Sequence, residues 1–273
     1  MTDKIGGDER VKFISLSSGS SGNSYYIGNS KVSLLIDAGI GTRTIKKRLS
    51  EYSVNIESID LVLITHDHYD HIKHLTSITE RFGKPVFATQ LLLNSLENHH
   101  HTRGRLKGFK RVLEKGTPFI YKEISITAFE VPHDASESLG YHIDFQGEKF
   151  TVITDLGRVT SSVTEFCKIS HNIIIESNYD CMMLESGGYP KALIERIRGG
   201  RGHLSNEETS EAIAGFYHPG IKNIFLCHLS DKNNTPELAY EASLRSLNTL
   251  GVDVGTDMNL YCLPRRDHIC YFV

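Results

Sequence analysis

The run Leu61-Val62-Leu63-Ile64-Thr65, followed by His66-Asp67-His68-Tyr69-Asp70-His71, constrains this chain more than any other stretch. A short β-branched, leucine-rich run reads as a buried strand. The polar cluster begins where that strand ends and the chain turns toward solvent. Imidazole and carboxylate are the ligand types that hold zinc, manganese or iron. In an extended segment the alternate positions His66 and His68 project to one side. Asp70 and His71 follow the turn and reach a second point nearby, so one segment can serve two adjacent metal ions. The ordinary alternative is a polar loop with solvated histidines. Three histidines and two aspartates directly after a buried strand speak against it.

Composition narrows the frame. The chain has 273 residues, 39% hydrophobic and 23% charged, the balance of a soluble globular protein whose core needs no disulfide or metal staple. A formal net charge of −3 supplies no global field toward nucleic acid, so any such contact must be local. Cys167, Cys181, Cys227, Cys262 and Cys270 form no C-x-x-C pair, and several lie in apolar runs. They read as reduced thiols of a cytoplasmic protein. Residues 1–10 are polar and charged, which fits a flexible N-terminal extension and not a signal peptide. No apolar run approaches the length of a membrane span. With no repeat or long linker, a single domain over residues 1–273 is expected.

Further strands are expected at Val11–Leu16, Tyr25–Ile27, Val32–Ile36, Pro85–Ala88, Phe119–Tyr121, Ile124–Val131, Leu139–Phe145, Lys149–Ile153, Ile173–Ile175, Asn223–Cys227, Leu260–Leu263 and Ile269–Val273. Helical spacing marks Thr42–Tyr52, Gln90–Leu96, Ala192–Ile197, Asn206–Tyr217 and Thr235–Leu250. Ser205 or Asn206 can cap the fourth of these, with Glu207 and Glu208 favourable in its first turn. The Ser/Gly/Asn stretch Ser17–Ser24 is a loop that can serve a hairpin or bring backbone close to a ligand. His74 and the triplet His99-His100-His101 read as surface residues. Arg103, Arg105, Lys107, Lys110 and Arg111 form a basic run, a candidate phosphate-backbone contact and equally a solvated face.

One event recurs along the chain. An apolar strand ends, and His, Asp or Glu follows: His66 to His71, His133, Asp155, Glu176 and His228. Loops at one edge of a sheet can converge on one site.

With these residues in order, the chain resembles the metallo-β-lactamase-fold hydrolase superfamily from Val11 to the end. The resemblance implies an α/β (α+β) fold, a four-layer αβ/βα sandwich with its site at one edge of two facing sheets. It implies that His66, His68 and His133 hold one divalent metal ion, that Asp70, His71 and His228 hold a second, and that Asp155 bridges the two. The ions would be zinc or manganese, with iron possible. Asp37 resembles the family's early aspartate that supports a ligand. Ser17-x-Gly19-x-x-Gly22-Asn23-Ser24, Thr154-Asp155-x-Gly157, Glu176-x-Asn178, Gly188-Tyr189-Pro190, Gly202-His203-Leu204-Ser205-Asn206 and His228-Leu229-Ser230-x-x-Asn233-Asn234-x-Pro236 look most like the YycJ/WalJ branch. That branch is related to ribonuclease Z type phosphodiesterases, and double-stranded-DNA exonuclease activity is ascribed to it. Tyr179 departs from the pattern, which has a histidine there.

The implied activity is a dinuclear metal-dependent phosphodiesterase or nuclease, with nucleic acid as substrate and no membrane partner. A hydroxide bridging two ions about 3.5–4 Å apart would attack phosphorus. Asp155 would hold it in line, and His203, held by Glu176, would donate a proton to the leaving oxygen. Asn23, Asn178, Ser205 and the Gly199–Gly202 loop are candidate substrate contacts. Tyr25, Tyr26 and Phe109 could stack on bases, although packing is the simpler reading. Two other functions compete: a hydrolase of a small ester, thioester or lactone on the same metals, and a non-catalytic regulatory metal-binding protein.

Overall fold

A computed structural model describes residues 10–273, so the extension expected over residues 1–10 lies, apart from Arg10, outside the described residues. Elements are numbered along the chain. The first sheet opens with β1 (Lys12–Ser17), β2 (Ser24–Gly28), β3 (Ser33–Ile36), β4 (Leu61–Leu63), β5 (Val86–Ala88) and β6 (Lys110–Val112). The second holds β7 (Phe119–Tyr121), β8 (Ile124–Glu130), β9 (Leu139–Phe145), β10 (Glu148–Ile153), β11 (Asn172–Glu176), β12 (Asn223–Cys227) and β13 (Asn259–Cys262). Finally β14 (Ile269–Phe272) returns to the first sheet beside β1. The strand orders are β14-β1-β2-β3-β4-β5-β6 and β13-β12-β11-β10-β9-β8-β7.

Each sheet changes character partway across. Strands β1 to β3 pair antiparallel, and β3 to β6 run parallel. Likewise β7 to β10 are antiparallel, and β10 to β13 parallel. Parallel strands end on the same edge, so β3, β4, β10, β11 and β12 deliver the residues that follow them to one rim. This is where open α/β sheets place their ligands.

The helices are α1 (Thr42–Glu51), α2 (Tyr69–Ile72), α3 (Leu75–Phe82), α4 (Gln90–Asn98), α5 (Ser161–Cys167), α6 (Cys181–Ser186), α7 (Lys191–Arg198), α8 (Asn206–Phe216) and α9 (Pro236–Thr249). The core explains the layering. On β11, Ile174 packs in the core that also holds Phe13, Leu35 and Val62 of the first sheet. Its neighbours Ile173 and Ile175 face the other way, into a cluster with Val163, Ile213 and Leu247 of α5, α8 and α9. Both faces of the strand are covered, which is why its sequence is apolar without alternation. The core holding Ile174 also takes in Ile45, Ile78 and Leu93 of α1, α3 and α4. The result is the expected four-layer sandwich. Truncating such a fully buried residue, Ile174→Ala for example, costs roughly 2–5 kcal/mol.

Five elements have no bounds in the sequence reading: α2, α3, α5, α6 and β6. α5 and α6 are short, and side chains of Thr160 and Asp180 cap them by accepting from Val163 and Met183 N–H. The strand β6 lies inside the basic run, and acids from other elements neutralise part of that run. Arg105 pairs with Glu80 at 2.5 Å and Lys110 with Glu97 at 2.7 Å. Tyr25 and Tyr26 are buried, so packing and not base stacking accounts for them. The five cysteines are unpaired. Among the described residues, no helix is long and apolar enough to cross a membrane.

Candidate metal centre

The rim of the parallel strands gathers the ligand-type residues expected from the sequence. His66 and His68 follow β4, Asp70 and His71 sit on α2, and His133, Asp155 and His228 follow β8, β10 and β12. Their donor atoms form overlapping groups, each within 4.8 Å: His66, His68 and His133; His66, His71 and Asp155; Asp70, His71 and His228. A fourth group joins Asp155 and His228 to Glu176 and His203.

Hydrogen bonds fix how each imidazole faces. His71 Nδ1 donates to Asp37 Oδ2 at 2.7 Å, leaving Nε2 toward the site, 3.3 Å from Asp155 Oδ2. His133 Nδ1 donates to the Gly202 carbonyl at 2.7 Å. His228 Nδ1 lies 2.8 Å from Asp155 Oδ1 and 3.0 Å from Glu176 Oε1. Such partners set the tautomer and aim the other nitrogen. Asp37 is the expected supporting aspartate. Its carboxylate also accepts from Thr65 N–H at 2.9 Å and Thr65 Oγ at 2.8 Å.

Close backbone approach is part of the construction. Gly39 packs on α2, where a Cβ would lie 1.7 Å from the Asp70 carbonyl oxygen. Only glycine allows this, and it lets Asn23 N–H reach that carbonyl at 2.8 Å. Asp37 and His228 both adopt left-handed backbone, with φ of 60° and 52°. Non-glycine residues in that region carry strain that the surrounding bonds must hold. At His228 the backbone N–H donates to Ser18 Oγ at 2.9 Å, which gives the Ser/Gly loop a structural task.

Burial and charge separate the members. Burial, helped by the nearby His71, holds His66 well below the usual imidazole range, so it stays neutral. Burial likewise lowers His133. For Asp155, burial opposes ionisation, but His228, His71 and His66 outweigh it and hold the carboxyl well below its usual range. Burial also disfavours charge on His71 and His228. Carboxylates win there, led by Asp155, and both rise well above the ordinary value. The ring of carboxylates thus favours positive charge at this point, which a proton or a metal cation satisfies alike. His66 Nε2, Asp155 Oδ2 and His228 Nε2 are buried with no hydrogen-bond partner. An orphaned buried polar atom costs about 1–3 kcal/mol. Three of them aimed into one acidic, imidazole-lined space fit divalent metal ions.

Glu176 and His203 form the expected pair, with Nδ1 to Oε1 at 2.7 Å. Glu176 is fully buried, and its Oε2 accepts from Leu156 N–H at 2.9 Å and Leu204 N–H at 3.1 Å. The His203 side chain is 23% exposed, on the open side of the cluster. Burial works against its charge, but Glu176 outweighs that and raises the imidazole above its ordinary value.

Two candidate substrate contacts are corrected. Asn23 is fully buried and donates from Nδ2 to Asp70 Oδ2 at 3.1 Å, with His71 Nε2 at 2.9 Å, so it orients ligand-type residues and touches no solvent. Ser205 is the N-cap of α8 in a reciprocal capping box with Glu208, and its hydroxyl is used there. Asn178 lines an open cavity and remains available. Asp134, adjacent to His133 in the chain, also faces the site. Its Oδ1 lies 3.4 Å from His133 Nε2 and 3.7 Å from His68 Nε2. A second acid one place after a strand-end histidine was the available signal.

The chain is similar to known proteins over most of its length. A β-lactamase superfamily domain matches residues 33–228. The chain is 34% identical over 250 residues to the exodeoxyribonuclease WalJ of Streptococcus pneumoniae serotype 2, covering 92% of this chain and 93% of that protein. It is 32% identical over 252 residues to the exodeoxyribonuclease YycJ of Bacillus anthracis, covering 92% and 94%. Zinc-bound PqqB from Methylobacterium extorquens superposes with a TM-score of 0.70 over 96% of this chain and 100% of that one, at 17% identity, a likeness of fold alone. The chain belongs to the metallo-β-lactamase superfamily, in the branch that holds the WalJ and YycJ proteins.

Proposed function

We propose that this chain is a cytoplasmic, dinuclear metal-dependent phosphodiesterase that acts on DNA as an exonuclease. The observation that carries the reading is the Glu176–His203 pair, at 2.7 Å, on the open side of the ligand cluster. The identity to two named exodeoxyribonucleases over 92% of the chain supports it. By this reading His66, His68 and His133 would hold one ion and Asp70, His71 and His228 the other, with Asp155 available to both. Nitrogen and oxygen donors of this kind suit zinc or manganese, with iron as a third candidate. When bound, such ions supply Lewis acidity toward a phosphate and bring the pKa of water from 15.7 toward about 7.

The chain's own residues do the rest. Asp37, Gly202 and Glu176 hold His71, His133 and His228 in one orientation each. Glu176, buried and ionised, stabilises the proton on His203 Nδ1. His203 Nε2 is then the nitrogen that gives a proton to a departing sugar oxygen. An alkoxide leaves poorly without one, whereas a nitrophenolate needs little help.

His203→Ala tests this. The variant should keep its full metal content by elemental analysis. It should lose about 10²–10⁴ in kcat on end-labelled DNA and much less on bis(p-nitrophenyl) phosphate. Undiminished cleavage of DNA by the variant would refute the acid role.

A further inference from the structure

Beside the ligand cluster, a cavity of about 230 Å³ opens between His203 and His228 on one side and the segment carrying α6 and α7 on the other. That is below the roughly 300–1,000 Å³ of pockets for drug-sized ligands. Open on one side, it has room for one ring-sized group against its walls.

Its walls are of two kinds. Leu193 and Ile197, on the half-buried face of α7, join the rings of Tyr179 and Tyr189 in an apolar side. Asn178 supplies a polar one. Its Nδ2 donates to the His228 carbonyl at 2.8 Å, and its Oδ1 has no partner among the described residues. The Tyr179 hydroxyl also has none, although the residue is only 3% exposed. The rim is cationic. Lys232 Nζ lies 5.9 Å from the centre of the Tyr189 ring. Arg196 Nε meets Asp134 Oδ2 at 2.5 Å, offsetting the acid at the mouth. Flat aromatic surface, a free acceptor and a cationic rim, one side chain away from His203, are what a nucleobase on a phosphorylated sugar would meet.

We infer that this cavity receives the unpaired terminal nucleotide of the DNA strand being cut, with its base against the half-buried Tyr189 and its phosphodiester at His203. The inference rests on the phosphodiesterase reading above. Placing one unpaired terminal base there requires a duplex end to fray by one pair. Mismatched ends should therefore be cut faster than paired ones.

The test uses the full-length, metal-loaded protein. Oligonucleotides with a normal or an abasic terminal nucleotide at the degraded end are compared on wild type, Tyr189→Ala and Tyr189→Phe. Removing the base or the ring should each lower kcat/KM about tenfold, the size of one base–aromatic stack. Removing both should lower it no further than either alone, and Tyr189→Phe should restore it. A binding readout free of turnover comes from calorimetry on the same metal-loaded protein, for which a phosphomonoester is a product and not a phosphodiester substrate. Deoxyadenosine monophosphate should bind more tightly than deoxyribose 5-phosphate, and Tyr189→Ala should erase the difference. Additive losses, or indifference to the terminal base in a wild type that cleaves DNA, would overturn the pocket and leave the phosphodiesterase reading intact. A wild type inert on both DNA and bis(p-nitrophenyl) phosphate would sink both.

Discussion

The floor and the roof of the site are built on opposite principles. The floor is the strand rim with His66, His71, His133, Asp155, Glu176 and His228, all nearly or wholly buried. His71, His133, Glu176 and His228 are held by the partners named above and His66 Nδ1 by Thr65 Oγ at 2.9 Å, two of the backbones that frame them are strained, and three donor atoms are left unsatisfied. The roof is α7, which has no buried residue and touches the body through half-buried Leu193, Ile194 and Ile197. Its ion pair to the floor, Arg196 with Asp134, is largely exposed. A floor of this kind is preorganised, at a cost in stability that bound cations would offset. A roof of this kind is held by few buried contacts.

That contrast can be broken at several strengths. The largest effect is expected at the floor's centre. Asp155→Ala should drop metal content and phosphodiester cleavage to background together, measured by elemental analysis and labelled DNA. Retained metal would mean that Asp155 is not shared between ions. Next, Asp37→Ala should weaken metal affinity by about 10–100-fold through loss of the His71 orientation, read by chelator competition. Asp37→Asn should recover part of it.

A pH measurement separates the floor from the sheet behind it. His142 on β9 stacks on Phe166 and bonds Thr151 at 3.1 Å, and it belongs to none of the candidate ligand groups. Burial pushes its imidazole down to about 4, with Lys149 adding to the effect. The unfolded chain therefore binds a proton near pH 6.5 that the folded chain refuses. Stability is full above that pH and declines as pH falls toward 4. The decline is on the order of 2 kcal/mol after allowance for solvent screening. His142→Gln should flatten this part of the urea-midpoint profile, and an unchanged slope would assign the acid loss to the floor instead. The smallest effect belongs to the roof. Arg196→Ala should move the thermal midpoint by less than about 3 °C, as an exposed pair contributes roughly 0–1 kcal/mol. A larger drop would mean that the roof is part of the folded core.

Much of this was legible in the chain because it is local. Strand β12 is bounded as its apolar run is bounded, and every parallel strand that feeds the site ends in, or is followed within three residues by, a His, Asp or Glu. Periodicity reports which faces are covered, and residue chemistry reports what can ligate. Short α5 and α6 escaped because their start signals are single side-chain caps. The basic run was misleading alone, since Glu80 and Glu97 come from helices earlier in the chain.

Sequence by itself determined the ligand types, their positions at strand ends and the fold that such a pattern resembles. Tertiary structure decided which way each one faces. Asn23 became a support and not a contact because the sheet pairing brings Asp70 over it, 47 residues away. Ser205 was claimed by a helix start, and Asp134 was turned toward His68. The left-handed turns at Asp37 and His228 exist only because the packed rim holds them. Orientation depends on partners distant in the chain, and spacing along one strand carries no information about those.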